Sequence, residues 1–271
     1  MPLFPRQILS FLALVMVAGL AAAQSSYLGF DRNVYPGDAN LKALRQTFTY
    51  AGYWLNNPPG ERENTWVGHR ATVDAAGFGF LVLFNGRLYA ELKSETNAAR
   101  LGKSDGANAA AAARREGFAA ATIIFLDQEQ GGVMLPEQKA YIFAWVDTVT
   151  AAGFRAGIYC SGMVSTDSNH VVTADDIRAA AGGRNITYWV TNDACPPSPG
   201  CAFPREVPDP RRSGVGFAEV WQFAQSPERK DVAAHCTRYA RDGNCYPPNL
   251  AGVYVDVSAA TSADPSRGRS H

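Results

Sequence analysis

Short apolar runs recur along the chain, separated by stretches in which apolar residues return every three to four positions. The runs are Tyr27–Asn33, Thr49–Leu55, Gly79–Gly86, Thr122–Glu129, Arg155–Ser161, Ile186–Asn192, Ala218–Ala224 and Gly252–Ser258. They are rich in β-branched and aromatic residues and have the length of strands buried on both faces. Between them, Asp38–Phe48, Trp66–Ala76, Ala107–Glu116, Pro136–Ala152 and Asp175–Ala181 show helical spacing or helix-forming composition. Gly77, Gly117 and Gly153 follow three of these segments, where helices commonly stop, and Pro136 suits a first helical turn. Strands alternating with helices predict a parallel α/β sheet. Eight strands in roughly 250 residues predict closure into a TIM-type (β/α) barrel. Residues 195–216 are rich in proline, glycine and arginine, and 226–250 hold no clear long helix. The barrel is therefore expected to be irregular, with helices missing or shortened in the last third. The polar segment 261–271 is expected to be a disordered tail.

The N-terminus changes the picture of where the domain works. Arg6 precedes the apolar run Ile8–Leu20, which ends in Ala21-Ala22-Ala23. That order of basic residue, apolar core and small residues reads as a signal peptide over residues 1–23, leaving 24–260 as one domain. The run is shorter than the ~20 residues that span a bilayer. A secreted, periplasmic or cell-envelope location is expected, without stable membrane insertion after cleavage; an uncleaved anchor is the alternative. Lysine plus arginine and aspartate plus glutamate balance at 25 each, so the charge gives no reason to expect nucleic acid as a partner. Cys195 with Cys201 and Cys236 with Cys245 close short loops and are expected to form disulfides, although four cysteines allow three connectivities. Cys160, in the apolar run AGIYCSG, is expected to be a buried free thiol. Zinc is the competing reading of the cysteines, but CxxC spacing is missing and His69, His170, His235 and His271 are scattered. P-loop, GxGxxG and GxSxG motifs are absent, and no cofactor is expected. The domain is expected to be a monomer.

A TIM-type barrel carries its active site at the C-terminal ends of its strands. Asp31 lies near the end of the first run, Asp127 and Glu129 at the end of the fourth, and Asp256 near the end of the eighth. The first and last strands are neighbours in a closed barrel and the fourth stands across from them, so the four acids are expected to converge. Residues two apart on a strand share a face. Two carboxylates side by side in a partly dry site push their pKa values apart, leaving one protonated and one ionised, the division that glycosidic cleavage needs. Aromatic residues mark the same rim: Tyr53 and Trp54, Phe84, Tyr159, Trp189 and Trp221. Their faces suit the apolar C–H faces of sugar rings. Asn192 and Gln222 are candidates to bond sugar hydroxyls, and Tyr159 or Tyr53 an acetamido carbonyl.

The ordered series GFD, DxE, GIY, a strand-six Trp, WQF and GVYVD resembles the glycoside hydrolase family 25 lysozymes. It resembles still more their relatives, the bacterial glycoside-hydrolase-like domains of unknown function. The resemblance runs from Tyr27 to about Ala259. It implies a flattened, incomplete barrel and cleavage of peptidoglycan next to N-acetylmuramic acid. It also implies Glu129 as general acid, Asp127 as its partner orienting an acetamido group or a water, and Asp31 and Asp256 as the outer acids. Trp221 and Gln222 match the strand-seven pair. The segment YWLNNPPGERENTW and the Cys195–Cys201 loop depart from the lysozymes and lie where substrate would bind. The expected function is thus an exported, lysozyme-like glycosidase acting on peptidoglycan or another acetamido-containing polysaccharide. A non-catalytic glycan-binding envelope protein and a metal-dependent hydrolase are the alternatives.

Overall fold

A computed structural model describes residues 26–166, 170–195, 206–225, 250 and 253–270. Eight strands close into one barrel in chain order: β1 (Tyr27–Asp31), β2 (Tyr50–Trp54), β3 (Gly79–Asn85), β4 (Ile123–Asp127), β5 (Arg155–Ser161), β6 (Ile186–Cys195), β7 (Val220–Ala224) and β8 (Asp256–Ala260). The helices are α1 (Asp38–Arg45), α2 (Arg70–Ala75), α3 (Tyr89–Leu92), α4 (Glu95–Arg115), α5 (Pro136–Ala151) and α6 (Thr173–Ala180). Among the described residues, only a short 3-10 turn at Pro210–Ser213 follows β6, in line with the expected loss of late helices. Neighbouring strands from β1 to β7 pair in parallel, whereas β8 is antiparallel to both β7 and β1. Asp256 is therefore the first residue of its strand, not one near the end. It reaches the same rim because the strand runs the other way, in register with Asp31.

The glycines expected after three helices, Gly77, Gly117 and Gly153, all have positive φ and stop α2, α4 and α5. Helix α4 starts twelve residues earlier than expected, at Glu95 rather than Ala107, with the Ser94 hydroxyl accepting from the Asn97 N–H at its start. Its glycines are packing residues. A Cβ on Gly102 would sit 2.3 Å from the Tyr141 carbonyl oxygen of α5, and one on Gly106 3.0 Å from that of Trp145. Two glycines one turn apart let the two longest helices approach closely.

The segment after Ala260, expected to be disordered, is packed against the floor of the barrel. Ser266 is fully buried; its Oγ accepts from the Val82 N–H, its carbonyl accepts from Ile123 N–H, and its own N–H donates to the Phe80 carbonyl. Asp264 accepts from the N–H groups of Phe80, Gly268 and Arg269, and the Gly268 carbonyl accepts from the Arg70 guanidinium at 2.7 Å. The tail is polar because it satisfies backbone groups at the strand ends, not because it is solvated.

Cys160 is free and buried, as expected. Cys201, Cys236, Cys245 and residues 1–25 lie outside the described residues, and Cys195 is described only as the end of β6. Among the described residues no helix is long and apolar enough to cross a membrane.

Candidate active site

A cleft of about 290 Å³ opens at the C-terminal rim of the parallel strands, lined by Asp31, Asn33, Trp54, Pro59, Gly60, Leu83, Asp127, Glu129, Tyr159, Trp189, Gln222 and Asp256. All four expected acids are among them. Register explains the lining. Trp54 pairs with Leu83, Asp127 with Tyr159, Tyr159 with Trp189, and Asp31 with Asp256. Residues in register on adjacent strands share a face, so these side chains point into the barrel mouth together. Beneath them, the Phe125 ring lies where a side chain on Gly157 would go, and the Tyr50 ring where one on Gly29 would go. These rings form a dry floor under the carboxylates.

The same alternation removes several expected residues from the cleft. Tyr53 points into the helix layer, where its hydroxyl contacts Glu116 and the Trp66 carbonyl and its ring packs on Phe80 and Phe118. Phe84 is buried against Trp145 of α5. Trp221 faces outward beside Phe223 and donates its indole N–H to the Asn192 carbonyl. The Asn192 amide donates to the Ser213 carbonyl at 2.6 Å, bracing the 3-10 turn. None of the four lines the cleft. Tyr159, Trp189 and Gln222 do, and Trp54 is the aromatic of strand two that belongs to it. Asn33 was not expected there, and of the segment after β2 it is Pro59 and Gly60 that reach the cleft.

Those last residues sit on loops braced by buried indoles and side-chain amides. The Arg32 carbonyl accepts from both Trp54 and Trp66, and the Asn33 amide donates to the Pro59 carbonyl at 2.9 Å. Asn56, Asn57, Asn64 and Asn85 bond the backbone of the same region, with Asn56 and Asn85 tying the loop after β2 to the end of β3. The asparagine-rich stretch that departs from the lysozymes is thus a fixed wall of the cleft.

One polar network links the acids on the β1–β8 side. Tyr159 donates its hydroxyl to Gln222 Oε1 at 2.8 Å, and Gln222 Nε2 donates to Asp31 at 3.2 Å and to Asp256 at 3.5 Å. Burial raises the Asp31 carboxyl well above the usual range; the Asp256 charge adds to this, the Gln222 N–H opposes it, and Asp127 adds a smaller push. Asp127 is also raised, first by burial and then by the neighbouring Glu129 charge. Its Oδ1 is buried and has no protein partner among the described residues. Glu129 is exposed, one step further out on the same side. The two carboxyls of the DxE step thus stand in unlike environments, Asp127 buried with a raised pKa and Glu129 exposed, as acid–base pairs in active sites do. Among the described residues, no group of three or more histidine, cysteine, aspartate or glutamate side chains is arranged to hold a metal ion.

Comparison with known proteins agrees with this architecture. Residues 48–196 match the model of the Rv2525c-like, glycoside hydrolase-like domain. No curated protein matches the chain. Among solved structures, an uncharacterized B. stearothermophilus protein is 18% identical with a TM-score of 0.52, covering 86% of this chain and 95% of its own. The Mycobacterium tuberculosis Tat-secreted protein Rv2525c, solved with HEPES, is 13% identical with a TM-score of 0.51, over 87% and 95% of the two chains. The catalytic domain of endolysin ply40 from Listeria monocytogenes bacteriophage P40 is 14% identical with a TM-score of 0.50, over 88% and 95%. These likenesses are of fold.

Proposed function

From the premise that the chain belongs to the Rv2525c-like, glycoside hydrolase-like domain family, we propose that it is an exported glycosidase cleaving peptidoglycan or another acetamido-containing polysaccharide. The observation that carries this reading is the Asp127–Glu129 pair: a buried carboxyl with an unpartnered oxygen, next to an exposed one, in a cleft lined by Trp54, Tyr159 and Trp189. Glu129 protonates the leaving glycosidic oxygen. Asp127 orients the acetamido group or the water that completes the displacement, and Asp31 and Asp256, held by Gln222, fix the sugar on the opposite wall. The tryptophan and tyrosine rings stack on the sugar faces. The fold shared with an endolysin catalytic domain supports cleavage of a cell-wall glycan. The Tat-secreted relative and the apolar Ile8–Leu20 run support export.

The test is release of reducing ends from purified cell wall and from soluble acetamido oligosaccharides. The wild-type chain releases them, and Glu129→Gln, which keeps shape and loses the acid, lowers the rate by at least ~100-fold. Unchanged turnover in Glu129→Gln would remove Glu129 from its role.

A further inference from the structure

Asn33 lines the cleft on the β1–β2 side, across the barrel from Asp127 on β4. The loop that carries it is pinned at each step. Its own carbonyl accepts from Trp66 Nε1 at 3.1 Å, the Arg32 carbonyl before it accepts from Trp54 and Trp66, and the Tyr35 N–H after it donates to Thr65 Oγ1 at 2.8 Å. The side-chain amide is pinned as well, through Nδ2 to the Pro59 carbonyl at 2.9 Å. Two loops thus hold Asn33 in one place and one orientation.

That orientation decides what the amide can offer. Its partner at Pro59 is a carbonyl oxygen, so the nitrogen must face it and the oxygen is the end left over. Among the described residues no donor bonds to Asn33 Oδ1. Two other neutral polar side chains of the cleft are engaged: Tyr159 donates to Gln222 Oε1, and Gln222 Nε2 donates to Asp31 and Asp256. Asn33 is therefore a fixed, uncharged acceptor whose oxygen is unclaimed. Beside it in the cleft wall, Pro59 adds apolar surface, and Gly60, at φ 77°, leaves open space where a side chain would stand. An acceptor next to an apolar ledge suits an acetamido group, with the N–H bonded to Oδ1 and the methyl resting on the proline.

We propose that Asn33 is a specificity-determining residue that accepts the acetamido N–H of a second sugar, the neighbour of the one whose acetamido group meets Asp127. In a β-1,4-linked chain, successive units are rotated by about half a turn, so their 2-substituents project to opposite sides. A chain in the cleft with one acetamido group toward β4 presents the next toward β1 and β2. The substrate class is then a polysaccharide with acetamido groups on successive units. The proposal rests on the glycan reading of the site and adds which chains it selects.

Calorimetry in a Glu129→Gln background, which keeps the probes intact, tests this. The probes are two β-1,4-linked tetrasaccharides, one of N-acetylglucosamine and one of 2-O-acetylglucose, in which an ester oxygen replaces each N–H. The amide probe is expected to bind more tightly than the ester. Asn33→Ala narrows that ratio by roughly three- to tenfold, the effect of one neutral hydrogen bond. Asn33→Asp loses the bond to Pro59 but keeps an acceptor, and it preserves the preference. A ratio unmoved in Asn33→Ala, with both probes weakened alike, would reduce Asn33 to a loop brace and overturn the proposal. So would a preference lost equally in Asn33→Asp, or no binding of either probe. The expected ratios without release of reducing ends by the wild-type chain would leave the role of Asn33 standing and overturn the hydrolase reading instead.

Discussion

Replacing Asp127 with asparagine tests the electrostatics of the site through stability. Asp127 is 5% exposed, and burial and the Glu129 charge both raise its pKa in the folded protein. An aspartate in the unfolded chain titrates near 3.9. The folded state thus binds its proton more tightly than the unfolded state does. The stability this contributes is fully present below about pH 4 and is lost as pH rises through the folded pKa. Each unit of upward shift costs the folded state about 1.4 kcal/mol once the group is ionised. For a domain of this size, about 1.4 kcal/mol moves Tm by roughly 3–6 °C. Asp127→Asn removes the cost while nearly preserving shape. We expect the variant to match the wild type in thermal melts at pH 4 and to melt several degrees higher at pH 7.5, while losing reducing-end release. Asp31, raised mainly by burial and by Asp256, acts in the same direction, so the wild type itself is favoured at mildly acidic pH. A variant that melts lower than the wild type at pH 7.5, or a gap that is the same at both pH values, would refute the assignment of Asp127 as a desolvated carboxyl.

Four further outcomes follow from geometry. Tyr53→Phe loses the contacts to Glu116 and the Trp66 carbonyl and is expected to cost about 1 kcal/mol in urea unfolding with turnover intact. Trp54→Ala, which strips the cleft wall, lowers turnover; the reverse pattern would mean that the faces of β2 are misassigned. Gly102→Val drives a side chain into the Tyr141 carbonyl, so urea unfolding should show a loss of about 1–3 kcal/mol from overpacking between α4 and α5. Ending the chain at Ala260 removes the buried Ser266 and the Asp264 carboxylate that accepts the Phe80 N–H. Each exposed or unpaired backbone group costs about 1–3 kcal/mol, so the shortened chain is expected to lose cooperative unfolding measured by circular dichroism.

The strands were legible because buried apolar runs of strand length are hard to mistake, and the four acids were legible because each sits where such a run meets a polar segment. What the sequence did not carry was register between strands. Tyr53 or Trp54, and Trp221 or Gln222, alternate faces, so only one of each pair can enter the cleft. Which one depends on pairing with neighbours, as in Trp54 with Leu83. The antiparallel β8 had a signal: no helix was expected after Ala224, and an antiparallel return needs no crossover helix. Gly102 and Gly106 concealed the first half of α4, because glycine lowers helix propensity whether it breaks a helix or lets another approach. The tail was misread because composition reports what side chains prefer, whereas Ser266 and Asp264 are there for the backbone of β3 and β4.

The antiparallel last strand also closes the two edges that a parallel sheet would otherwise leave open. β8 completes the hydrogen bonding of β1 and of β7, and Asp264 and Ser266 accept the N–H groups of Phe80 and Val82 in β3. Without these residues, a sheet of the seven parallel strands would present two unpaired edges, a template for pairing with other chains. Closure must join groups nearly two hundred residues apart, such as Arg70 and Gly268, and contacts of that sequence separation form slowly. A chain without these residues is expected to aggregate more readily than one that carries them, which light scattering during refolding would show.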